Sequence, residues 1–307
     1  MDLKGTIVFV SGRHGDYDVF TVELPSGEID KLTTGDSWND MPKWSPDGRK
    51  IAYISNKSGT AEIWVMNADG SEKAQITKSG KHHQSPDWSP DGRKLVFCAN
   101  YHGHMDVYTM NADGSDLAQI TDYEGMDFTP NFSPDGRRII FASKRSGNSD
   151  LWAYEIATKS LRQLTEFRGR DYSPAFSPDG SRIAFVTGLA GADGKENLEI
   201  YVMDSDGKNE KRVTTNLGID RHVGWSPDGR FLVFASNQPR STVERLWVAD
   251  TQTPDIGAIR FDRKALEREI GAEAKGAFFF QFLPEPIRRK FYPENFFGTD
   301  RYPDWTS

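Results

Sequence analysis

The chain has 307 residues, 36% hydrophobic, 12% aromatic and 27% charged, enough to build a sizeable core in one large domain or two small ones. A net charge of −7 without a clustered excess of Lys and Arg excludes a nucleic-acid or anionic-membrane binder, because phosphate recognition needs a dense basic surface. A single cysteine, Cys98, excludes an internal disulfide framework and a cysteine-based zinc cluster, and no apolar run reaches the ~18 residues of a membrane span.

The first strand-like segment begins at Thr6. That leaves no room for a signal peptide, so a cytoplasmic chain is expected, or a mature fragment whose leader was removed. Further along, Ser-Pro-Asp-Gly recurs at Ser45, Ser89, Ser133, Ser177 and Ser226, with separations of 44, 44, 44 and 49 residues. Each unit reads alike. In the first complete one, a short strand ending in Trp44 enters the Ser-Pro-Asp-Gly turn, the apolar run Lys50 to Ser55 follows, and a polar loop leads to Glu62 to Asn67. The Asp69-Gly70 turn then leads to Glu72 to Thr77. Asp-Gly marks hairpin turns because glycine accepts positive φ, and the β-branched and aromatic residues between the turns predict four up-and-down strands, a to d.

Internal distances hold the phase. Eleven residues separate the b-strand aromatic from the c-strand aromatic in Phe9/Phe20, Tyr53/Trp64, Phe97/Tyr108 and Phe141/Trp152, and two later units lengthen that loop. Thirteen more lead to the closing Thr of strand d at Thr33, Thr77, Thr121, Thr165 and Thr214, and nine more to the middle of the next strand a. The first unit lacks strand a, whereas the chain ends in Tyr302-Pro303-Asp304-Trp305-Thr306, which matches Ser85-Pro86-Asp87-Trp88-Ser89. A C-terminal strand joining the N-terminal blade would close the ring and cover its edges.

An all-β, six-bladed propeller of four-stranded antiparallel blades is therefore expected as one domain. Its blades are residues 5–33 with 300–307, then 40–77, 84–121, 128–165, 172–214 and 221–260, with an insertion over 261–295. Trp44-Ser45-Pro46-Asp47-Gly48-Arg49-Lys50-Ile51-Ala52-Tyr53, followed by Ile63-Trp64-Val65-Met66-Asn67-Ala68-Asp69-Gly70, resembles the repeat of TolB-like six-bladed propellers, a WD-like repeat family. The resemblance covers roughly residues 5–260 and 300–307. It implies a scaffold that binds a protein or peptide, and a periplasmic location if a leader was removed. A monomer is expected.

In such a ring the a–b and c–d turns share one face, and the b–c loops and d–a connectors share the other. Length irregularities fall on the loop face: five extra residues between Phe185 and Tyr201, two between Phe234 and Trp247, and 34 in the last connector. Binding usually sits where such variation collects. The six histidines, His14, His82, His83, His102, His104 and His222, map there too. His83, His102 and His104 could share a divalent cation with Asp106 or Gln84, or could be solvated surface groups.

Five residues before each strand-a aromatic stand Asn39, His83, Asp127, Asp171, Asp220 and Asp300, with Arg221 and Arg301 directly after the last two. Converging at the channel mouth, this ring is either a cation site, together with neighbouring His222, or a set of backbone caps. Trp38 stands on a connector without a repeat counterpart, either as a stacking surface for a sugar or peptide or as packing onto the blade below. The insertion, with Phe278, Phe280, Phe282 and the basic Arg288-Arg289-Lys290, is too apolar to stand in water and should fold over the channel mouth or cover a partner. No Gly-x-Ser-x-Gly elbow, phosphate loop or dinucleotide fingerprint occurs. The alternative to a scaffold is a metal-dependent lyase or hydrolase acting on acidic oligosaccharides, since His82-His83-Gln84 resembles part of the metal set of oligogalacturonate lyases, whose propellers have seven blades.

Overall fold

The computed structural model describes residues 5–11, 17–24, 26, 28–166, 169–190, 196–215, 219–236, 245–252 and 259–260. These form six antiparallel sheets arranged in sequence order, and the described residues contain no helix. Blade 1 shows β1 (Gly5–Ser11), β2 (Asp18–Leu24) and β3 (Ile29–Lys31). Blade 2 holds β4 (Asn39–Trp44), β5 (Lys50–Ser55), β6 (Glu62–Asn67) and β7 (Ala74–Gln75), and blade 3 holds β8 (His83–Trp88), β9 (Lys94–Ala99), β10 (Asp106–Asn111) and β11 (Ala118–Gln119). Blade 4 holds β12 (Asp127–Phe132), β13 (Arg138–Ser143), β14 (Asp150–Glu155) and β15 (Ser160–Gln163). Blade 5 holds β16 (Arg170–Phe176), β17 (Arg182–Ala190), β18 (Glu196–Asp204) and β19 (Lys211–Arg212), and blade 6 holds β20 (Asp220–Trp225), β21 (Phe231–Ser236), β22 (Arg245–Asp250) and β23 (Ile259–Arg260). The expected closing strand, Tyr302 to Thr306, and the insertion lie outside the described residues.

The aromatic spacing becomes register. Phe9 pairs with Phe20, Tyr53 with Trp64, Phe97 with Tyr108, Phe141 with Trp152, Phe185 with Tyr201 and Phe234 with Trp247. The b-strand member is at most 2% exposed in every blade. Burying each such ring contributes about 2–3 kcal/mol, so the six supply much of what holds the blades together.

The turns repeat as chemistry. In the Ser-Pro-Asp-Gly turn of blade 2, the Ser45 hydroxyl donates to Asp47 Oδ1 at 2.6 Å and accepts the Lys50 amide at 2.9 Å, while Gly48 takes φ 67°. Ser89, Ser133, Ser177 and Ser226 do the same with the aspartate two residues on. At the other end of blades 1 to 5 the closing threonine accepts a c-strand amide, as Thr33 Oγ1 does from Val19 at 2.9 Å and Thr214 Oγ1 from Ile200 at 2.9 Å.

Every described strand a carries a β-bulge, where the pairing shifts between Asp40 and Lys43, Gln84 and Asp87, Phe128 and Asn131, Tyr172 and Ala175, and Arg221 and Gly224. The bulge residue is left-handed without being glycine: Met41, Ser85, Thr129, Ser173 and His222 have φ between 50° and 53°. Such a conformation costs about 1–3 kcal/mol and persists where neighbours hold it. Here the hold is from blade to blade, since Met41 Sδ accepts the Ser85 amide at 3.0 Å and Thr129 Oγ1 accepts the Ser173 amide at 3.2 Å.

Candidate functional site: the loop face and the blade interfaces beneath it

Where blades meet below the loop face, a polar group on strand a of one blade meets an acid at the start of strand c of the blade before. Asn39 Nδ2 donates to Asp18 Oδ1 at 3.2 Å, and His83 Nδ1 lies 3.2 Å from Glu62 Oε2. Burial raises the pKa of Asp106, Asp171 and Glu199, and Asp127, Asp150 and Asp220 across the interface add to the respective rises. Strand d supplies the donor that covers the acid: Lys31 to Asp18 at 2.7 Å, Gln119 to Asp106 at 3.1 Å, Gln163 to Asp150 at 3.0 Å and Arg212 to Glu199 at 2.7 Å.

Burial sets the protonation of these groups. Asp127 and Asp171 are wholly buried. Asp171 is pushed up to about 7 by burial, against the pull of the Thr165 and Thr187 hydroxyls, with Asp150 and Glu210 adding to the rise. Asp127 is raised by burial although Arg145 places Nη2 at 2.6 Å from Oδ2. Arg145 is itself held between the rings of Phe141, Trp152 and Tyr123 at 5.2, 5.2 and 5.4 Å. Glu199 rises to about 6 through burial, and burial lifts Asp40, on the inner strand of blade 2, to about 7. His83 goes the other way: burial disfavours its cation, and Glu62 only partly offsets this.

One group on the loop face has donors suited to a cation. His104 Nε2 stands 3.1 Å from Asp106 Oδ2 and 3.9 Å from Asp122 Oδ1, and the ligand atoms of the three lie within 4.8 Å of one another. The repeat also gives His104 a structural role, because Thr60 and Asn197, likewise two residues before the c-strand acid, donate to Glu62 at 3.4 Å and Glu199 at 2.6 Å.

The model of the family described as the TolB beta propeller domain matches this chain over residues 4–86, 42–165 and 148–265. The chain belongs to the TolB β-propeller family. The Tol-Pal system protein TolB of Nitratidesulfovibrio vulgaris is 33% identical over 69 residues, 22% of this chain and 15% of that protein. TolB from Acinetobacter baumannii superposes with a TM-score of 0.73 at 24% identity, over 82% of this chain and 62% of that one. Oligogalacturonate lyase from Vibrio parahaemolyticus superposes with a TM-score of 0.55 at 17% identity, over 84% of this chain and 72% of that one. The likeness to the TolB proteins thus carries the propeller and leaves the remainder of their length unmatched.

In this TolB-family propeller the expected site residues are placed unevenly. Asp127, Asp171 and Asp220 do not stand open at the channel mouth; all three are wholly buried, each within electrostatic reach of the c-strand acid of the preceding blade. Arg221 is 5% exposed on the same inner strand, and His222 occupies the bulge. Trp38 corrects the expectation of an exposed stacking platform: it is 2% exposed in the core that includes Tyr17 and Trp88, and its amide donates to Asn56 Oδ1 at 2.8 Å. The expected His83, His102 and His104 group divides. His83 is sealed by Glu62 and by Tyr101, whose hydroxyl lies 2.8 Å from Nε2, whereas His102 is exposed and His104 joins Asp106 and Asp122. His14, Asp300 and Arg301 lie outside the described residues.

Sequence reasoning missed Glu62, Asp150, Glu199 and Arg145. The first three carry a readable signal, an acid two residues before the c-strand aromatic in five units: Asp18, Glu62, Asp106, Asp150 and Glu199. Arg145 carries none, since its partners come from three separate segments. Among the described residues no helix is long and apolar enough to cross a membrane.

Proposed function

We propose that this chain is a non-catalytic scaffold that binds a protein or peptide partner at the face of the b–c loops, beside the channel mouth. The observation that carries the reading is the b–c hairpin of blade 5. Its strands β17 and β18 run nine residues each where β5, β9, β13 and β21 run six, and they stay paired through Gly188–Leu198, Leu189–Asn197 and Ala190–Glu196. Three further pairs lift the hairpin by about 10 Å, making one side of the face a wall. In this reading His104, Asp122, Arg145 and His222 meet the partner, while Asp127, Asp171, Asp220 and Arg221 fix the base of the loops.

The test replaces residues 188–198 with a Ser-Gly turn and measures capture of a mass-spectrometrically identified partner against intact chain. At least tenfold weaker capture is expected, with full capture by a control changed at the outer-strand Lys211. Equal capture by the shortened chain would remove the reading.

A second reading, a metal-dependent lyase or hydrolase on acidic oligosaccharides, is favoured by the His104, Asp106 and Asp122 group. Metal content after dialysis against Mn²⁺ or Zn²⁺ decides it. About one ion per chain, lost in His104→Ala, supports it; no retained ion ends it.

A further inference from the structure

On the opposite, tight-turn face a groove of about 810 Å³ lies open between blades 2 and 3, with Trp88 among its lining residues. Four carboxylates, Asp47, Glu72, Asp91 and Asp113, line it against a single ammonium, that of Lys50. The serine hydroxyls of their own turns hold Asp47, Asp91 and Asp113 below the usual carboxylate range, so they stay ionised well into acid.

Two corresponding interfaces further round the ring are closed by an arginine of the chain itself. Trp225 donates its indole N–H to the Ala175 carbonyl at 3.0 Å, and the Arg182 guanidinium lies 4.6 Å from its ring centre. Arg182 also donates to the Gly229 carbonyl at 2.6 Å and to Thr251 Oγ1 at 3.3 Å. Between blades 4 and 5, Arg138 stands 5.3 Å over Phe176 and donates to the Ser205 carbonyl at 3.0 Å.

Trp88 takes the pose of Trp225, donating to the Lys43 carbonyl at 3.1 Å. The repeat puts Lys50 where Arg138 and Arg182 stand, Gly92 where Gly229 stands, and Ala112 where Ser205 and Thr251 stand. The backbone agrees, since the amides of Ala112, Ser205 and Thr251 each bond the equivalent a–b turn, at Arg93, Ser181 and Arg230. Gly92 and Ala112 both line the groove. Among the described residues the Lys50 ammonium forms no ion pair or hydrogen bond across to blade 3. The next lysine in phase, Lys94, folds back onto Asn111 and Asp116 of its own blade, at 3.1 and 2.9 Å.

We propose that this groove docks an arginine side chain presented by a peptide partner, with the guanidinium over Trp88, its N–H groups on the Gly92 and Ala112 carbonyls and its charge toward Asp91 and Asp113. The partner supplies from outside what Arg182 supplies from within. A planar guanidinium combines stacking with several directed donors, which an ammonium does not.

The probe is the peptide acetyl-Gly-Arg-Gly-amide and its citrulline counterpart, which keeps the shape and loses the charge, titrated into the full chain and followed by amide and indole NMR shifts. Shifts at Gly92, Ala112 and the Trp88 indole are expected, with the citrulline peptide at least tenfold weaker. Lys50→Arg should fill the groove from within, weakening the arginine peptide at least tenfold and raising the melting temperature. Equal affinity for the two peptides, binding by neither, shifts confined to other blades, or undiminished affinity in K50R would overturn the proposal. None of these outcomes bears on binding at the loop face.

Discussion

The interface between blades 2 and 3 and that between blades 4 and 5 use one framework and respond to pH with opposite sign. In the first the c-strand acid Glu62 faces His83; in the second Asp150 faces Asp171. Burial keeps His83 neutral in the fold, so an unfolded chain gains a proton that the folded chain refuses, and stability is lost as pH falls below the usual histidine value of 6.5. Burial keeps Asp171 protonated to about 7, so the folded chain holds a proton the unfolded chain has released, and stability is lost as pH rises from about 4 through about 7. The strand geometry is common to both. What sets the direction of the pH response is the strand-a side chain, a base at His83 and an acid at Asp171.

The interface between blades 3 and 4 stands between these cases, because its Asp106 and Asp127 are accompanied by Arg145 and His104. Arg145→Met keeps much of the packing stem and removes the charge, and should convert this interface to the behaviour of the next one. A loss of about 3 kcal/mol is expected at pH 8, shrinking toward pH 5 as Asp127 takes a proton, and urea denaturation at the two pH values checks it. If the loss is the same at both, the charge on Asp127 is not what Arg145 compensates.

Asp171→Asn gives the amide in place of a group that burial already keeps protonated at low pH. At pH 8 the variant should be more stable than the natural chain by about 1–3 kcal/mol, and near pH 4 the two should agree. Denaturation midpoints followed across this range would show the natural curve falling progressively below that of the variant as pH rises. The smallest effect is expected from His83→Gln, which removes the bond to Tyr101 and the titrating ring together. It should cost about 1 kcal/mol at pH 7.5 and less at pH 5.5, where the natural chain is penalised for excluding a proton.

The repeat was legible because its signals are local. Turn residues and aromatics at fixed spacing specify strands, register and blade number without any knowledge of what touches what, and Phe9, Tyr53, Phe97, Phe141, Phe185 and Phe234 fall where the spacing puts them. The site was less legible. Asp127, Asp171 and Asp220 share a repeat position, and position alone does not say whether a side chain meets the channel or the blade before it. Trp38 reads as an outlier in the repeat and is buried because its connector lies down over the Tyr17 and Trp88 core. His83 and His104 are 21 positions apart and look like one cluster, yet they lie at successive interfaces, one facing Glu62 and the other Asp106.

The left-handed bulges have a consequence for how such a ring can be rearranged. Met41 offers a sulfur to the Ser85 amide, and Thr129 offers a hydroxyl to the Ser173 amide, so each link joins a particular pair of neighbours. Blades of equal length are therefore not interchangeable modules. Exchanging blade 2 with blade 4 in a shuffled gene would carry each bulge's strain to its new address while leaving behind the neighbour that makes it tolerable, and the order of the blades is inherited along with their sequence.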